Sequence, residues 1–107
     1  MIRIEVNRKK DGSPISLVSK GHAGYSEEGS DIYCAAVSAL LINTANSIET
    51  FTDDPFSEEE GDGYLKLEFP DGTGRDTKLL FNSLLLGLKQ IEETCNRKYL
   101  TLTIREV

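Results

Sequence analysis

A chain of 107 residues, 38% hydrophobic and 28% charged, has the make-up of one soluble domain with a modest core, and residues 1–107 are expected as a single domain. Its net charge of −6, from 18 acidic against 12 basic side chains, argues against a nucleic-acid partner, because phosphates are held by Lys and Arg. No apolar run approaches the roughly 20 residues of a membrane span, and the N-terminus lacks the basic-then-apolar order of a signal peptide. No membrane association and a cytoplasmic location are the resulting expectations.

Ile2, Ile4 and Val6 alternate with Arg3, Glu5 and Asn7, the period of a half-buried strand. Arg8 to Pro14 is rich in turn residues around Asp11-Gly12. Ile15, Leu17 and Val18 with Ser16 and Ser19 then predict a second strand ending near Lys20, with imperfect alternation. The two strands are expected to form an antiparallel hairpin. Gly21 to Ser30 is a loop whose glycines, Gly21, Gly24 and Gly29, allow backbone angles that other residues resist.

A helix is predicted from about Asp31 to about Thr50, capped by Ser30 or Asp31, with Cys34 in its first turn. Ile32, Ala35, Ala36, Val37, Ala39, Leu40, Leu41, Ile42, Ala45 and Ile48 cover more than the single stripe a sheet-packed helix needs. A second surface is therefore expected to cover it. A partner subunit is the simplest reading, and the second helix of the same chain is the alternative.

Thr52 to Glu60 reads as a loop or an acidic edge strand, and Asp62-Gly63 turns the chain. Leu65, Leu67 and Phe69 mark a strand. A second helix follows from about Arg75 to about Cys95, with Leu80, Leu84, Leu88, Ile91 and Cys95 inward and Lys78, Asn82, Lys89 and Glu93 outward. Leu100, Leu102 and Ile104 close the chain as a strand. The order ββα(β)βαβ predicts an α+β two-layer sandwich: two helices on a mixed or mainly antiparallel sheet of four to five strands.

The chemistry concentrates around the loop and the helix start. His22 is the only histidine and Cys34 one of two cysteines. A thiolate at a helix N-terminus feels a partial positive charge worth roughly 0.3–1 kcal/mol. An imidazole in reach would contribute more, taking the thiol proton and later delivering it to a departing amine. Asp31 could orient His22, or serve as the helix cap, or both. The Cys34 amide, with loop amides around Gly21 to Gly24, is a candidate oxyanion donor.

Blander readings stand beside these. A cysteine in an Ala/Val/Leu-rich helix is commonly a small buried hydrophobe, and a lone loop histidine is commonly just exposed. Cys95 reads as core, and both cysteines are expected as reduced thiols, a Cys34–Cys95 disulfide being the alternative. Without C-x-x-C or paired His/Cys spacing, no metal site is expected. Glu58-Glu59-Glu60 reads as a solvated face, or as an attractor of a basic substrate. Tyr25, Tyr33, Tyr64 and Tyr99 show no spacing that makes a stacking platform.

Gly21-His22-Ala23-Gly24, followed by Asp31-Ile32-Tyr33-Cys34-Ala35-Ala36-Val37-Ser38-Ala39-Leu40, closely resembles the signature of the ribosomal-processing cysteine protease family. The resemblance spans the whole chain in length and element order; Tyr33 stands where the family often has Val. It implies that Cys34 is the nucleophile and His22 its base, that Asp31 occupies a motif position, and that Gly21, Ala23, Gly24, Gly29 and Ser30 belong to a substrate-binding loop. It also implies a homodimer with no cofactor. The implied substrate is the precursor of large-subunit ribosomal protein number twenty-seven, a basic protein cut within a hydrophobic, Phe-containing motif just before its mature N-terminus. A non-catalytic, dimeric, ribosome-associated peptide-binding module is the competing reading, and a thiol hydrolase or acyltransferase acting on a small molecule is a third.

Overall fold

Among the described residues, seven elements follow one another as β1 (Ile2–Arg8), β2 (Pro14–Lys20), α1 (Ser30–Phe51), β3 (Ser57–Gly61), β4 (Tyr64–Glu68), α2 (Arg75–Thr94) and β5 (Leu100–Glu106). The computed structural model describes residues 1–22 and 30–107, with side chains from residue 32 onward in the second stretch. The strands make one five-stranded sheet in the order β3-β4-β2-β1-β5. Three of its four pairings are antiparallel, and β1 pairs with β5 in parallel, so the sheet is mixed. Of the Thr52–Glu60 stretch predicted as a loop or an acidic edge strand, the first part is a loop and the second falls in the edge strand β3, Ser57–Gly61.

Alternation puts Ile2, Ile4 and Val6 of β1 on the inner face, where they meet Leu17 of β2, Leu65 and Leu67 of β4, and Leu100 of β5. The imperfect alternation of β2 has a local cause. Asn7 pairs with Ser16 but Arg8 pairs with Pro14, so Ile15 is an extra residue opposite the β1 ladder. A bulge of this kind reverses the inward phase along the strand, which is why Pro14 and Leu17, three apart, are both buried. The Ile15 carbonyl instead accepts the Phe69 N–H at 2.9 Å, just beyond β4.

Both helices pack into the same core. α1 buries Val37, Leu41, Thr44, Ala45 and Ile48, one stripe at helical spacing. α2 buries Thr77, Phe81, Leu84, Leu85 and Leu88. The two helices approach each other at Gly87, where an added Cβ would lie 3.0 Å from Leu40 Cδ1. The second helix thus covers part of α1, while Ile32 and Ile42 of α1 and Leu79 and Leu86 of α2 remain more than half exposed.

One sequence expectation needs correction here, and one ring contact adds to the rest. Asn82 does not simply point outward: it is half-buried, accepts from Arg8 Nη1 at 2.7 Å and donates to the Gly12 carbonyl at 2.8 Å, tying α2 to the β1–β2 turn. The tyrosines do form one ring pair. Tyr33 stacks on Tyr99 with centroids 5.1 Å apart, a juxtaposition of residues far apart in sequence that spacing alone does not reveal.

Candidate active site

β2 ends at Lys20, and the next residue must leave the sheet beside the N-terminus. Gly21 does so at φ +97, with its α-carbon so close to Met1 that an added Cβ would lie 2.4 Å from the Met1 carbonyl oxygen. Only glycine satisfies both the angle and the approach. Its N–H donates to the Gly63 carbonyl at 2.8 Å, which fastens the β2 exit to the β3–β4 turn. His22 follows directly, and its carbonyl accepts from the Met1 amino group at 2.6 Å.

The His22 ring lies against Gly63. A Cβ at that position would come within 2.6 Å of Nε2, so the ring occupies the space a side chain would take. Asp62, the other residue of the turn, places Oδ1 3.6 Å from the same Nε2. The side chain of Asp31, a candidate orienting residue or helix cap, lies outside the described residues, and the carboxylate beside the ring among the described residues is Asp62. Nothing in the sequence separates Asp62-Gly63 from an ordinary turn, because its relation to His22 is created by the sheet pairing.

Cys34 is half-buried on α1 and is a free thiol, as is the buried Cys95, whose Sγ donates to the Glu92 carbonyl at 3.5 Å. His22 and Cys34 line one cavity of about 230 Å³ where the β2 exit, the β3–β4 turn and the N-terminal half of α1 meet. Ser19, Ser38, Glu60 and Tyr64 also line it. Cys34, Ser38, Leu41 and Ile42 reach it from one side of α1, as the i, i+4, i+7 spacing requires. Ser19 sits at an inward strand position, is nearly inaccessible, and presents a hydroxyl where the core would otherwise be apolar. Sequence reading did not single out Ser19, Ser38 or Tyr64; a serine in the inward phase of β2 was the available signal for the first.

α1 begins at Ser30, within one residue of the expected start, and Cys34 is its fifth residue. The other expected loop residues, Ala23, Gly24 and Gly29, lie outside the described residues, as do the side chains of Ser30 and Asp31.

Glu60 is the one carboxylate among the described residues that line the cavity, and Glu58 lines a separate recess with Glu49 and Asp53. Hydrogen bonding with Glu60 raises the Glu58 carboxyl above the ordinary glutamate range, reinforced by burial and by the charges of Glu60 and Glu49. Among the described residues no three His, Cys, Asp or Glu side chains come together in a metal-holding group.

The family model described as Cysteine protease Prp matches residues 1–100. The protein named Ribosomal processing cysteine protease Prp from Staphylococcus aureus is 28% identical over 98 residues, 90% of this chain and 92% of that protein. The protein of the same name from Bacillus subtilis is 29% identical over 102 residues, covering 92% and 90%. The fold agrees with a crystal structure of the S. aureus protease in complex with a covalently linked product peptide, at TM-score 0.87 and 27% identity, covering 98% of this chain and all of that one. With the match running from β1 into β5 and a half-buried thiol opening on the same cavity as the lone histidine, this chain belongs to the Prp family of cysteine proteases.

Proposed function

We propose that this cysteine protease removes the N-terminal extension of large-subunit ribosomal protein number twenty-seven, using Cys34 as nucleophile and His22 as general base and acid. The observation that carries the reading is the shared cavity: the chain's only imidazole and its half-buried thiol line the same cleft. In the first half-reaction the Cys34 S–H proton passes to the imidazole while the sulfur lone pair forms a C–S bond to the scissile carbonyl. As the C–N bond breaks, the same proton goes to the leaving amine. Water then gives a proton to His22 and its oxygen attacks the thioester, and that proton returns to the departing thiolate. Glu60 at the cavity, with exposed Glu58 and Glu59 beside it on β3, suits a substrate whose mature part is basic.

The exposed Ile32 and Ile42 on α1 and Leu79 and Leu86 on α2 support a homodimer, and light scattering should give twice the mass of one chain. The location proposed is the cytoplasm, where the ribosomal precursor is made.

The decisive experiment is cleavage of the extended precursor. Cys34→Ala should abolish processing, and His22→Ala should slow it roughly 10²- to 10⁴-fold. Iodoacetamide should modify half-buried Cys34 well before buried Cys95. Processing at the wild-type rate by Cys34→Ala would exclude the mechanism.

A further inference from the structure

We propose that the β3–β4 turn is the seat of His22, with Asp62 as its charged positioning residue and Gly63 as the space that admits the ring. The proposal rests on the Cys34–His22 reading and adds two residues to it, both acting through the ring of His22. Three observations converge on the turn. Asp62 Oδ1 stands 3.6 Å from His22 Nε2. A Cβ at Gly63 would meet Nε2 at 2.6 Å and both Cδ2 and Cε1 at 3.1 Å, so the edge of the ring faces the glycine α-carbon. The Gly21 N–H to Gly63 carbonyl bond of 2.8 Å then fixes the residue before His22 to the same turn.

Of the ring atoms, Nε2 stands 3.6 Å from the carboxylate. When the ring takes the thiol proton it becomes a cation, and Asp62 faces that new charge. The Asp62 side chain is 97% exposed, so water screens its charge and its effect is modest. Gly63 acts by shape and is the more sensitive of the two.

Cleavage kinetics on a peptide spanning the junction of the ribosomal precursor test the assignment. Asp62→Asn keeps a residue suited to turns; it should lower kcat roughly two- to fivefold with KM unchanged, and Asp62→Glu should restore most of the loss. Gly63→Ala should lower kcat roughly 100-fold, because a ring displaced by about 1 Å loses its alignment with the thiol. Gly72→Ala is the matched control: Gly72 has φ +87 but nothing within 4 Å of an added Cβ, so it carries backbone strain alone. It should keep full activity. Unchanged kcat in Asp62→Asn, a raised KM instead of a lowered kcat, or equal losses in Gly63→Ala and Gly72→Ala would overturn the proposal. His22→Ala and Cys34→Ala run in parallel separate the two readings. If both cleave like wild type, the dyad itself fails. If both are inactive while Asp62→Asn and Gly63→Ala are normal, only the seat fails.

Discussion

Asp54 shows how one side chain in a connection can hold a helix in place. α2 has no cap from its own N-terminal residue, since Gly74 has no side chain to offer. Asp54, from the link between α1 and β3, supplies the acceptor: its Oδ2 takes the Thr77 hydroxyl at 2.5 Å and the Gly74 N–H at 2.8 Å. Bonding to Thr77 first, and to Gly74 second, holds its carboxyl below the usual aspartate range against the opposing effect of desolvation. A carboxyl lowered by folding contributes stability above its unfolded pKa, and that contribution disappears as pH falls through the lower folded value. Asp54→Asn should therefore be less stable than wild type at pH 7, with the gap closing toward pH 3; urea unfolding at the two pH values measures it. At the same scale, the sequence named His22 and Cys34 because rare residue types beside glycines stand out. It was silent on Asp62, whose importance comes only from a neighbour about forty residues away that strand pairing brings beside it.

Among the elements, legibility followed the hydrophobic period. β1 and β4 alternate cleanly and were readable, and both helices were found from their apolar spacing. β3 offers no such signal. Its sequence SEEEG is exposed throughout, and backbone pairing to β4 makes it a strand, while its glutamates discourage pairing at the open edge. The inner stripe of α2 includes Phe81 and Leu85 because the helix is rotated from the Leu80 and Ile91 reading, which leaves those two half-buried. The link from α2 to β5 holds strain. Asn96 and Arg97 both have positive φ, 51 and 61, in a tight turn closed by the Lys98 N–H to Cys95 carbonyl bond of 2.9 Å. Left-handed backbone costs a branched or long residue about 1–2 kcal/mol, partly offset here by the pairing of exposed Arg97 with largely buried Glu92 at 3.6 Å. Arg97→Gly should raise the unfolding free energy by about 0.5–1 kcal/mol, as read from a denaturant midpoint at unchanged slope.

Across the whole molecule, one apolar cluster joins the inner face of the sheet to both helices. Phe81 is its largest fully buried side chain and meets Phe69 edge-on at 5.5 Å, which in turn stacks on Phe56 at 5.5 Å. Phe81→Ala should cost about 3–5 kcal/mol, a large share of the 5–15 kcal/mol typical of a small domain; calorimetry should show a strongly lowered Tm. The fold class was legible because alternating strands and amphipathic helices admit few arrangements. The parallel β1–β5 pairing was not, because register between strands at opposite ends of a chain leaves no local mark.

That pairing has a consequence for biosynthesis. Ile2 sits beside Leu100, and Ile2 also forms part of the wall of the thiol-bearing cavity. A chain lacking β5 has β1 open along one side, so the cavity wall cannot settle until β5 is made and paired. Closing so long a loop is slow. Proteolytic competence should consequently depend on β5, and a fragment ending before it should be inert.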